Sequence, residues 1–448
     1  MKVLFVENRK KSLVWHCWSE FLKTKGVETA FVIYNHAFAL DGDSNYIIPY
    51  PQKKDLVPFP KQYIDEDYNL IYSSDRLINH FGKNDLHYYF YLQKIKGILD
   101  EVAPDIVIGE STQFYELFII SECKKRNILY LNPSSCRYPT HRYSFYLYDT
   151  LIPYGGSNEL IPTTEAISII DGIVHRSVKP DYMSKLKMSR SMLISYWLYE
   201  MKVLRSRYQG AKYIIPSLFD KLKKDNEIKG LCKRWDAIAN GKKNVDSNFI
   251  IMYPMQMQPE ANLDVWGHQY MNQLTTIKKL VDKTQEDVII LVKPNPKAKY
   301  EFTKELLDYI ENEDRVISVP LSCTMQSCLN KSDMIVTVTG TIAIECILMN
   351  KPVLTLQLTL NNEMRNCPFL DDIKNITKYV RMVKERKFPE ISEDDKIHFL
   401  NRLNATSYYG MPEVSDYDSD LTGAKECLDD LYSIVTDYER KNSKNTSR

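Results

Sequence analysis

The chain has 448 residues, a length that predicts two domains of ordinary size. Its 59 Lys and Arg residues balance 58 Asp and Glu residues, so the charge gives no electrostatic case for nucleic-acid binding. No apolar stretch reaches the ~20 residues of a transmembrane helix, and the apolar run at the N-terminus is too short for a signal peptide. Nine scattered cysteines favour reduced thiols. We therefore expect a globular, cytoplasmic protein.

The N-terminal part of the chain alternates predicted strands and helices. The predicted strands are Val3–Glu7, Thr29–Tyr34, Asp105–Gly109 and Ile128–Leu131. The predicted helices are Val14–Lys25, Tyr88–Val102 and Phe114–Lys125. This alternation is typical of a parallel sheet with crossover helices, and we predict a Rossmann-like domain over 1–179.

A different pattern follows, because residues from Pro180 to Ile228 are helical, basic and aromatic in character. We predict a helical insertion or connector over 180–247. The segment either packs on its own domain or serves as a membrane-surface or partner-binding helix, and the sequence leaves both readings open.

A second α/β pattern begins near Asn248. The predicted strands are Phe249–Tyr253, Val288–Val292, Val316–Val319, Met334–Val338 and Val353–Leu356. The predicted helices are Tyr270–Lys283, Lys299–Asn312, Thr324–Lys331 and Ile342–Met349. We predict a doubly wound Rossmann-like domain over 248–390, helices over 391–439 that pack back on the N-terminal domain, and a disordered tail over 440–448.

The turn Thr339-Gly340-Thr341 joins the fourth strand of this domain to a helix. Gly340 lets the backbone turn tightly and approach a ligand closely. The helix start offers unpaired N–H groups, and the two threonines add hydroxyls, so we predict a phosphate site; a simple Thr N-cap is the alternative. Glu345, one turn later, either accepts hydrogen bonds from a sugar or complements the helix dipole.

Two further loops follow strands of the same domain. In the first, Pro259 restricts the backbone between the polar residues Gln258 and Glu260. In the second, Lys293-Pro294-Asn295-Pro296, the lysine could neutralise phosphate and Asn295 could hydrogen-bond a base or phosphate. Ligands of open parallel sheets bind at the carboxyl ends of the strands, where both loops lie. A ligand-free polar loop and a Pro-rich turn are the alternatives.

The N-terminal domain carries two polar segments after its strands. Glu110 follows the third strand, where a base could activate an acceptor hydroxyl, or where it simply adjoins a helix start. Glu7 is a weaker candidate base. Arg137, His141 and Arg142 form a basic cluster that either binds an anionic sugar or phosphate or is a solvated loop.

These segments resemble the capsule and surface polysaccharide biosynthesis protein family, which includes β-Kdo transferases of capsule export systems. The resemblance covers about 245–360 and rests on Tyr253, Gln258-Pro259-Glu260, Trp266, Gln269, Lys293-Pro294-Asn295-Pro296, Thr337-Val338-Thr339-Gly340-Thr341, Glu345 and Lys351-Pro352-Val353-Leu354. The chain departs from the family at Asn295-Pro296, where His-Pro is usual, and at Asn350-Lys351-Pro352, where Gly-Lys-Pro is usual.

The resemblance implies a GT-B-like α/β fold: two Rossmann-like doubly wound domains facing a cleft, with the acceptor domain first and the nucleotide-sugar-binding domain second. It implies that the lysine-to-proline loop, including Pro296, and the Thr-Gly-Thr turn bind the donor phosphate, and that the Gln-Pro-Glu loop lines the sugar site. It implies no catalytic metal and no resident cofactor. The missing histidine leaves the donor nucleotide, CMP- or UDP-linked, open.

The expected function is therefore glycosyl transfer from a nucleotide sugar to a glycan or lipid-linked acceptor, with Glu110 and Glu260 as candidate catalytic residues. Kdo or a related acidic sugar is one candidate donor sugar. The polysaccharide export machinery at the inner membrane face is a candidate partner. A non-catalytic glycan-binding or scaffold subunit, a polyol-phosphate transferase and a sugar-nucleotide epimerase are the alternatives.

Overall fold

The computed structural model describes residues 1–40, 44–180, 188–241, 249–298, 300–415 and 419–446. The strands are β1 (Lys2–Val6), β2 (Glu28–Ile33), β3 (Asn45–Ile47), β4 (Ile106–Ile108), β5 (Leu129–Ser135), β6 (Arg142–Leu147), β7 (Phe249–Pro254), β8 (Val288–Lys293), β9 (Val316–Ser318), β10 (Met334–Thr337), β11 (Val353–Thr355) and β12 (Tyr408–Tyr409). The helices up to the second sheet are α1 (Ser12–Thr24), α2 (Glu66–Ser74), α3 (Arg76–Phe81), α4 (Tyr88–Val102), α5 (Phe114–Arg126), α6 (Thr163–Val174), α7 (Arg190–Gln209) and α8 (Leu218–Asn240). The remaining helices are α9 (Ala261–Asp264), α10 (Gln273–Asp282), α11 (Lys304–Asn312), α12 (Met325–Lys331), α13 (Ile342–Leu348), α14 (Ile376–Lys384), α15 (Glu393–Ala405), α16 (Thr422–Glu426) and α17 (Leu428–Thr446).

The chain forms two compact units. The first unit comprises Met1–Ile161, Lys179–Asp220 and Asn401–Arg448, and the second comprises Pro162–Val178 and Lys221–Leu400. Each unit has its own sheet and its own hydrophobic core.

The sheet of the first unit has the strand order β12-β6-β5-β4-β1-β2-β3. The five strands from β5 to β3 are parallel, whereas β6 and β12 pair antiparallel at one edge. Apolar residues fill β1 and β2 without alternation because both faces of a parallel sheet are covered. On one face, Phe5 stacks on Phe31 with ring centroids 5.2 Å apart, and Trp15 and Trp18 of α1 are fully buried there.

The sheet of the second unit is parallel throughout, in the order β11-β10-β7-β8-β9. Its central strand β7 pairs with β8 over its whole length, from Phe249 opposite Val288 to Pro254 opposite Lys293. Trp235 of α8 stacks on Phe302 with ring centroids 4.6 Å apart and closes the core at one side.

Both sheets therefore contain the same arrangement of parallel strands. Within each unit, numbering the parallel strands along the chain gives the spatial order 3-2-1-4-5, so the chain reverses direction across the sheet after its third strand. The reversal leaves a crevice at the carboxyl ends of the first and fourth strands, which we call the switch point. It lies between β1 and β4 in the first unit and between β7 and β10 in the second. The predicted class, α/β with two Rossmann-like doubly wound parts and a helical connector, is confirmed.

Several predicted boundaries differ from the structure. The helical segment from Pro180 to Ile228 is interrupted between α7 and α8, and its residues 181–187 lie outside the described ranges, as do Asn248 and Lys299. At the break, Gly210 has φ +131° and a Cβ there would lie 2.4 Å from the Tyr50 ring, so only glycine fits.

The division into units also differs from the predicted domains. Residues 162–178, predicted as the end of the N-terminal domain, cluster with the second unit because α6 packs on α13. In the first unit, α16 and α17 pack on α1, and the Trp18 indole donates to the Ala424 carbonyl at 2.9 Å. The predicted disordered tail at 440–448 is helical as far as Thr446, because it continues the helical hydrogen bonding of α17.

All nine cysteines are free thiols. Among the helices of the described ranges, none combines the length and apolar character needed to cross a bilayer.

Candidate functional site

The turn after β10 lies at the switch point of the second unit and is packed too closely for any residue but glycine at its centre. A Cβ on Gly340 would lie 2.7 Å from Thr337 Oγ1 and 2.9 Å from Gln256 Nε2. The Thr339 hydroxyl donates to the Asn262 carbonyl at 3.1 Å and ties the turn to α9. The turn after β10 and the loop after β7 therefore meet where the strand order reverses.

The same turn presents several backbone donors. Within the described residues, the amides of Thr339, Gly340, Thr341 and Ile342 donate no hydrogen bond, while the amides of Ala343 and Ile344 fold back on the turn. The Thr341 side chain makes no capping hydrogen bond, so a Thr N-cap does not explain this residue. Because α13 has only seven residues, an anion at this turn would be bound by the successive amides more than by the helix dipole.

The loop after β7 is fixed by a network of side-chain amides. Gln273 accepts from the Gln256 amide at 2.9 Å, and its Nε2 donates to the Gln256 carbonyl and to Gln258 Oε1. Gln258 in turn donates to Asp264 Oδ1 at 2.8 Å and is buried. The predicted donor-binding residue Gln258 is therefore held by the protein itself and shapes the loop. Glu260 is partly exposed and binds Asp264 through its backbone amide.

The loop after β8 buries its lysine. Lys293 is 3% exposed, and its Nζ donates to the Pro294 carbonyl at 2.8 Å. Burial lowers the pKa of Lys293. Asn295 Oδ1 accepts from the Lys297 amide at 2.9 Å, which stabilises the turn, and Pro296 is exposed beside it. In this conformation the predicted phosphate-neutralising lysine is directed into the protein.

Glu345 is buried in α13, where Arg176 neutralises it. Arg176 follows α6, and its Nη1 lies 2.8 Å from Glu345 Oε2, with both side chains largely shielded from solvent. This ion pair compensates the charge of the buried carboxylate within the second unit. It also explains why residues 162–178 cluster with the second unit.

At the switch point of the first unit, the structure brings two carboxylates together through one asparagine. Asn8 Nδ2 donates to Glu110 Oε2 at 3.0 Å and to Glu116 Oε1 at 2.8 Å. Lys11 Nζ lies 3.1 Å from Glu110 Oε1. Gly109 permits this approach, because a Cβ there would clash with Tyr130 and Val6. Glu110 keeps a quarter of its side chain exposed, so it can meet a ligand.

The environments of these groups shift their protonation. Burial raises the pKa of Glu116 to about 7, and the nearby Glu110 charge acts in the same direction. Burial also raises the pKa of Glu7, although Glu7 accepts from the Asn35 amide at 2.9 Å. For Lys11, burial lowers the pKa, but the carboxylates of Glu110 and Glu413 together raise it, and the net shift is upward. Lys11 therefore retains its positive charge beside Glu110.

The predicted basic cluster is not a common anion site. Arg142 is buried and donates to the Ser407 hydroxyl and carbonyl, both at 2.8 Å, to the Asn404 carbonyl at 3.1 Å and to the Ser157 hydroxyl at 2.9 Å. In this conformation the donors of Arg142 connect β6 to the chain that precedes β12. His141 contacts Glu426 at 2.7 Å, and Arg137 is partly exposed near Cys136.

Asn8, Lys11 and Glu116 are candidate functional residues that no sequence motif indicated. Asn8 and Lys11 lie in the segment after β1, whose carboxyl end borders the switch point of the first unit. Their position after this strand could have identified them as candidates from the sequence. Glu116 forms a capping box with Gln113 at the start of α5, which explains the residue type but not its contact with Asn8.

The fold and these residues define a protein of two Rossmann-like α/β units, each with polar groups at its switch point. No protein-family model and no curated protein matches this sequence. Across the described residues, no group of three or more His, Cys, Asp or Glu side chains is arranged to hold a metal ion.

Solved structures with a similar course of the chain include two kinds of sugar-processing enzyme. The β-Kdo 2,7 transferase KpsC of Thermosulfurimonas dismutans is 10% identical, with 97% of this chain and 99% of that chain covered and a TM-score of 0.35. UDP-GlcNAc 2-epimerase of Methanocaldococcus jannaschii, in complex with UDP-GlcNAc and UDP, is 12% identical over 90% and 99% of the two chains, with a TM-score of 0.27. MnaA of S. aureus with UDP is 13% identical over 91% and 92%, with a TM-score of 0.25. Because these TM-scores lie below 0.5, we base the function on this chain's own residues.

The buried ion pair predicts a strong effect of removing one partner. Arg176→Ala leaves Glu345 as an uncompensated buried charge, and we expect the free energy of unfolding to fall by about 3–5 kcal/mol. The double variant Arg176→Met/Glu345→Gln should recover most of this loss. Urea unfolding followed by circular dichroism measures both, with Arg381→Ala, an exposed arginine of α14, as the control. An Arg176→Ala protein as stable as the control would contradict the pairing.

The raised pKa of Glu116 predicts a pH-dependent stability. The folded protein holds the Glu116 proton up to pH about 7, whereas the unfolded chain releases it near 4.5, so this group's stabilising contribution is complete below pH 4.5 and is lost as pH rises through 7. We expect the free energy of unfolding of Glu116→Gln, relative to wild type, to rise by about 3 kcal/mol across this range. Unfolding curves at several pH values test this. The exposed Glu101→Gln control should show a pH-independent difference, and a flat difference for Glu116→Gln would disprove the assignment.

Proposed function

We propose that this protein is a glycosyltransferase that moves a sugar from a nucleotide-activated donor to a glycan or lipid-linked acceptor in surface polysaccharide biosynthesis, in the cytoplasm. The second unit binds the donor. The first unit supplies the group that accepts the acceptor's proton. The order of motifs over about 245–360, which resembles capsule polysaccharide biosynthesis proteins, supports this assignment.

The observation that carries the proposal is the turn after β10. Its successive amides from Thr339 to Ile342 lie at a switch point, where doubly wound sheets bind their ligands. Amides in such a turn bind phosphate oxygens without desolvating a charged side chain. In glycosyl transfer, the bond between the anomeric carbon and the phosphate oxygen breaks, and the negative charge that develops on the nucleotide is stabilised by such donors.

Glu110 is the proposed general base. Its carboxylate is partly exposed and is oriented by Asn8 and Lys11, so it can take the proton of an acceptor hydroxyl as the new glycosidic bond forms. The buried carboxyl of Glu116 shares the Asn8 amide and acts as a positioning residue for Glu110. Glu260 remains a candidate near the sugar of the donor.

Donor binding is tested by thermal unfolding and calorimetric titration with CMP-, UDP-, GDP- and CDP-sugars. We expect one nucleotide class to raise the unfolding temperature by mass action. Gly340→Ala should weaken that binding by about tenfold or more, because its Cβ would push Thr337 and Gln256 out of place and distort the amides.

The matched control is Gly230→Ala. Its added Cβ meets no atom within 4 Å, so nucleotide binding should stay at the wild-type value. If no nucleotide sugar stabilises the protein, or if Gly340→Ala binds as tightly as the control, the donor site lies elsewhere.

The role of Glu110 is tested by product analysis with a radiolabelled donor. We expect Glu110→Gln to lower kcat by roughly 10²–10⁴-fold while donor affinity is unchanged, since the amide keeps the Asn8 contact but cannot accept the proton. Glu28→Gln, an exposed residue of the same unit, is the control. A donor that is epimerised without transfer to an acceptor would overturn the transferase assignment. Full activity of Glu110→Gln would remove this residue from the mechanism.

A further inference from the structure

Helix α7 exposes a row of large apolar side chains on one face. Ile194, Trp197, Leu198 and Met201 follow the spacing i, i+3, i+4, i+7 and therefore lie side by side. Their exposed fractions are 62%, 65%, 67% and 60%. An isolated apolar residue on a protein surface is ordinary, but four adjacent ones on one helix mark an interaction surface.

The same face carries positive charge at both ends of the row. Arg190 lies four residues before Ile194, and Arg205 lies four residues after Met201, so both arginines extend the row by one turn. Both are exposed, as is Lys202 beside them. With Arg207 and the single acid Glu200, α7 has a net charge of +3, although the whole chain has only +1.

The opposite face of α7 is anchored in the first unit. Ser206 is buried and accepts from Asn35 Nδ2 at 3.0 Å. Tyr199 packs on Phe38 with ring centroids 6.1 Å apart, and Lys202 Nζ lies 4.6 Å from the centre of the Phe38 ring. The helix is therefore held rigidly on one side and presents its apolar row on the other.

We propose that this face of α7 lies on the surface of an anionic membrane. The apolar side chains would enter the boundary between headgroups and acyl chains, and the flanking Arg190 and Arg205 would bind phosphate groups of the lipids. Tryptophan is favoured at this depth because its ring is apolar while its N–H remains near polar groups. The charge argues against a second copy of this chain as occupant, because a two-fold contact would bring the arginines of two identical faces together.

The position of α7 bears on which acceptor substrate the membrane would supply. Asn35, which donates to Ser206, also donates from its backbone amide to Glu7 Oε2 at 2.9 Å, at the end of β1. One residue thus connects the helix to the carboxyl edge of the first sheet, where Glu110 lies. Resting on the proposed function, this connection favours a lipid-linked acceptor over a free glycan.

Co-flotation of the full-length protein with lipid vesicles tests the membrane surface independently of any enzymatic activity. We expect binding to vesicles of phosphatidylcholine mixed with phosphatidylglycerol and weak binding to phosphatidylcholine alone. Trp197 should then show a blue-shifted fluorescence that brominated lipids quench, because it is the most exposed of the five tryptophans: Trp15, Trp18 and Trp235 are buried and Trp266 is partly buried.

Two variants separate the apolar and the charged contributions. Trp197→Glu/Leu198→Glu and Arg190→Gln/Arg205→Gln should each lower the vesicle partition coefficient by about tenfold or more. Leu358→Glu, with a similarly exposed apolar residue in the second unit, and Lys229→Gln/Lys233→Gln, with two exposed lysines of α8, are the matched controls and should bind like wild type. Circular dichroism should show that all four variants are folded.

Three outcomes would overturn the proposal. The first is a wild-type protein that does not bind anionic vesicles. The second is vesicle binding that both α7 variants retain. The third is a wild-type dimer that Trp197→Glu/Leu198→Glu dissociates, which would assign the face to a second copy. A wild-type protein that binds anionic vesicles but transfers no sugar would contradict the proposed function and leave the membrane surface standing.

Discussion

The parallel pairing of the first and fourth strands in each sheet is the constraint on which the other features depend. Where β1 pairs with β4, and β7 with β10, the order of strands reverses and two loops are forced to meet at one edge. Neighbouring side chains crowd this edge so closely that a Cβ on Gly109 would clash with Tyr130 and Val6, and one on Gly340 with Thr337 and Gln256. Polar residues that are far apart in the chain, such as Asn8 and Glu110, become hydrogen-bonded neighbours there.

The two switch points differ in how their buried charged side chains are compensated. In the second unit, Lys293 donates to a carbonyl of its own loop and Glu345 is paired with Arg176, whereas the turn after β10 presents backbone amides. Such amides would bind an anion without the cost of desolvating a charge. In the first unit, Glu110 and Glu116 share the Asn8 amide, and Lys11 pairs with Glu110. Burial raises the pKa of Glu116 and of Glu7, while Glu110 keeps access to solvent. This division suits phosphate binding in one unit and proton transfer in the other.

Several residues whose type and position indicated a ligand site instead stabilise the fold. Arg142, Gln258 and Glu345 are polar residues beside strand ends, which is the pattern of a ligand site, yet each is bound by groups of its own unit. Helix α7 is the reverse case, because its apolar row is the pattern of a buried face and yet is exposed. In both cases the residue type predicted that a partner exists, and only packing determined which partner it was.

The sequence by itself determined the α/β class, the central strands of both sheets and the helix α4, because apolar runs and helical periodicity are local properties. It also located Gly340 and Glu110 at strand ends. It missed the two edge strands β3 and β12, since a short edge strand is defined by the neighbour with which it pairs rather than by its own residues. It also missed β6, which pairs antiparallel with β5 and β12 and is therefore not part of the alternating strand and helix pattern. The tertiary structure decided that Asn8 joins Glu110 to Glu116 and that Arg176 neutralises Glu345, because hydrogen bonds and ion pairs between residues more than a hundred positions apart depend on how the helices and strands pack.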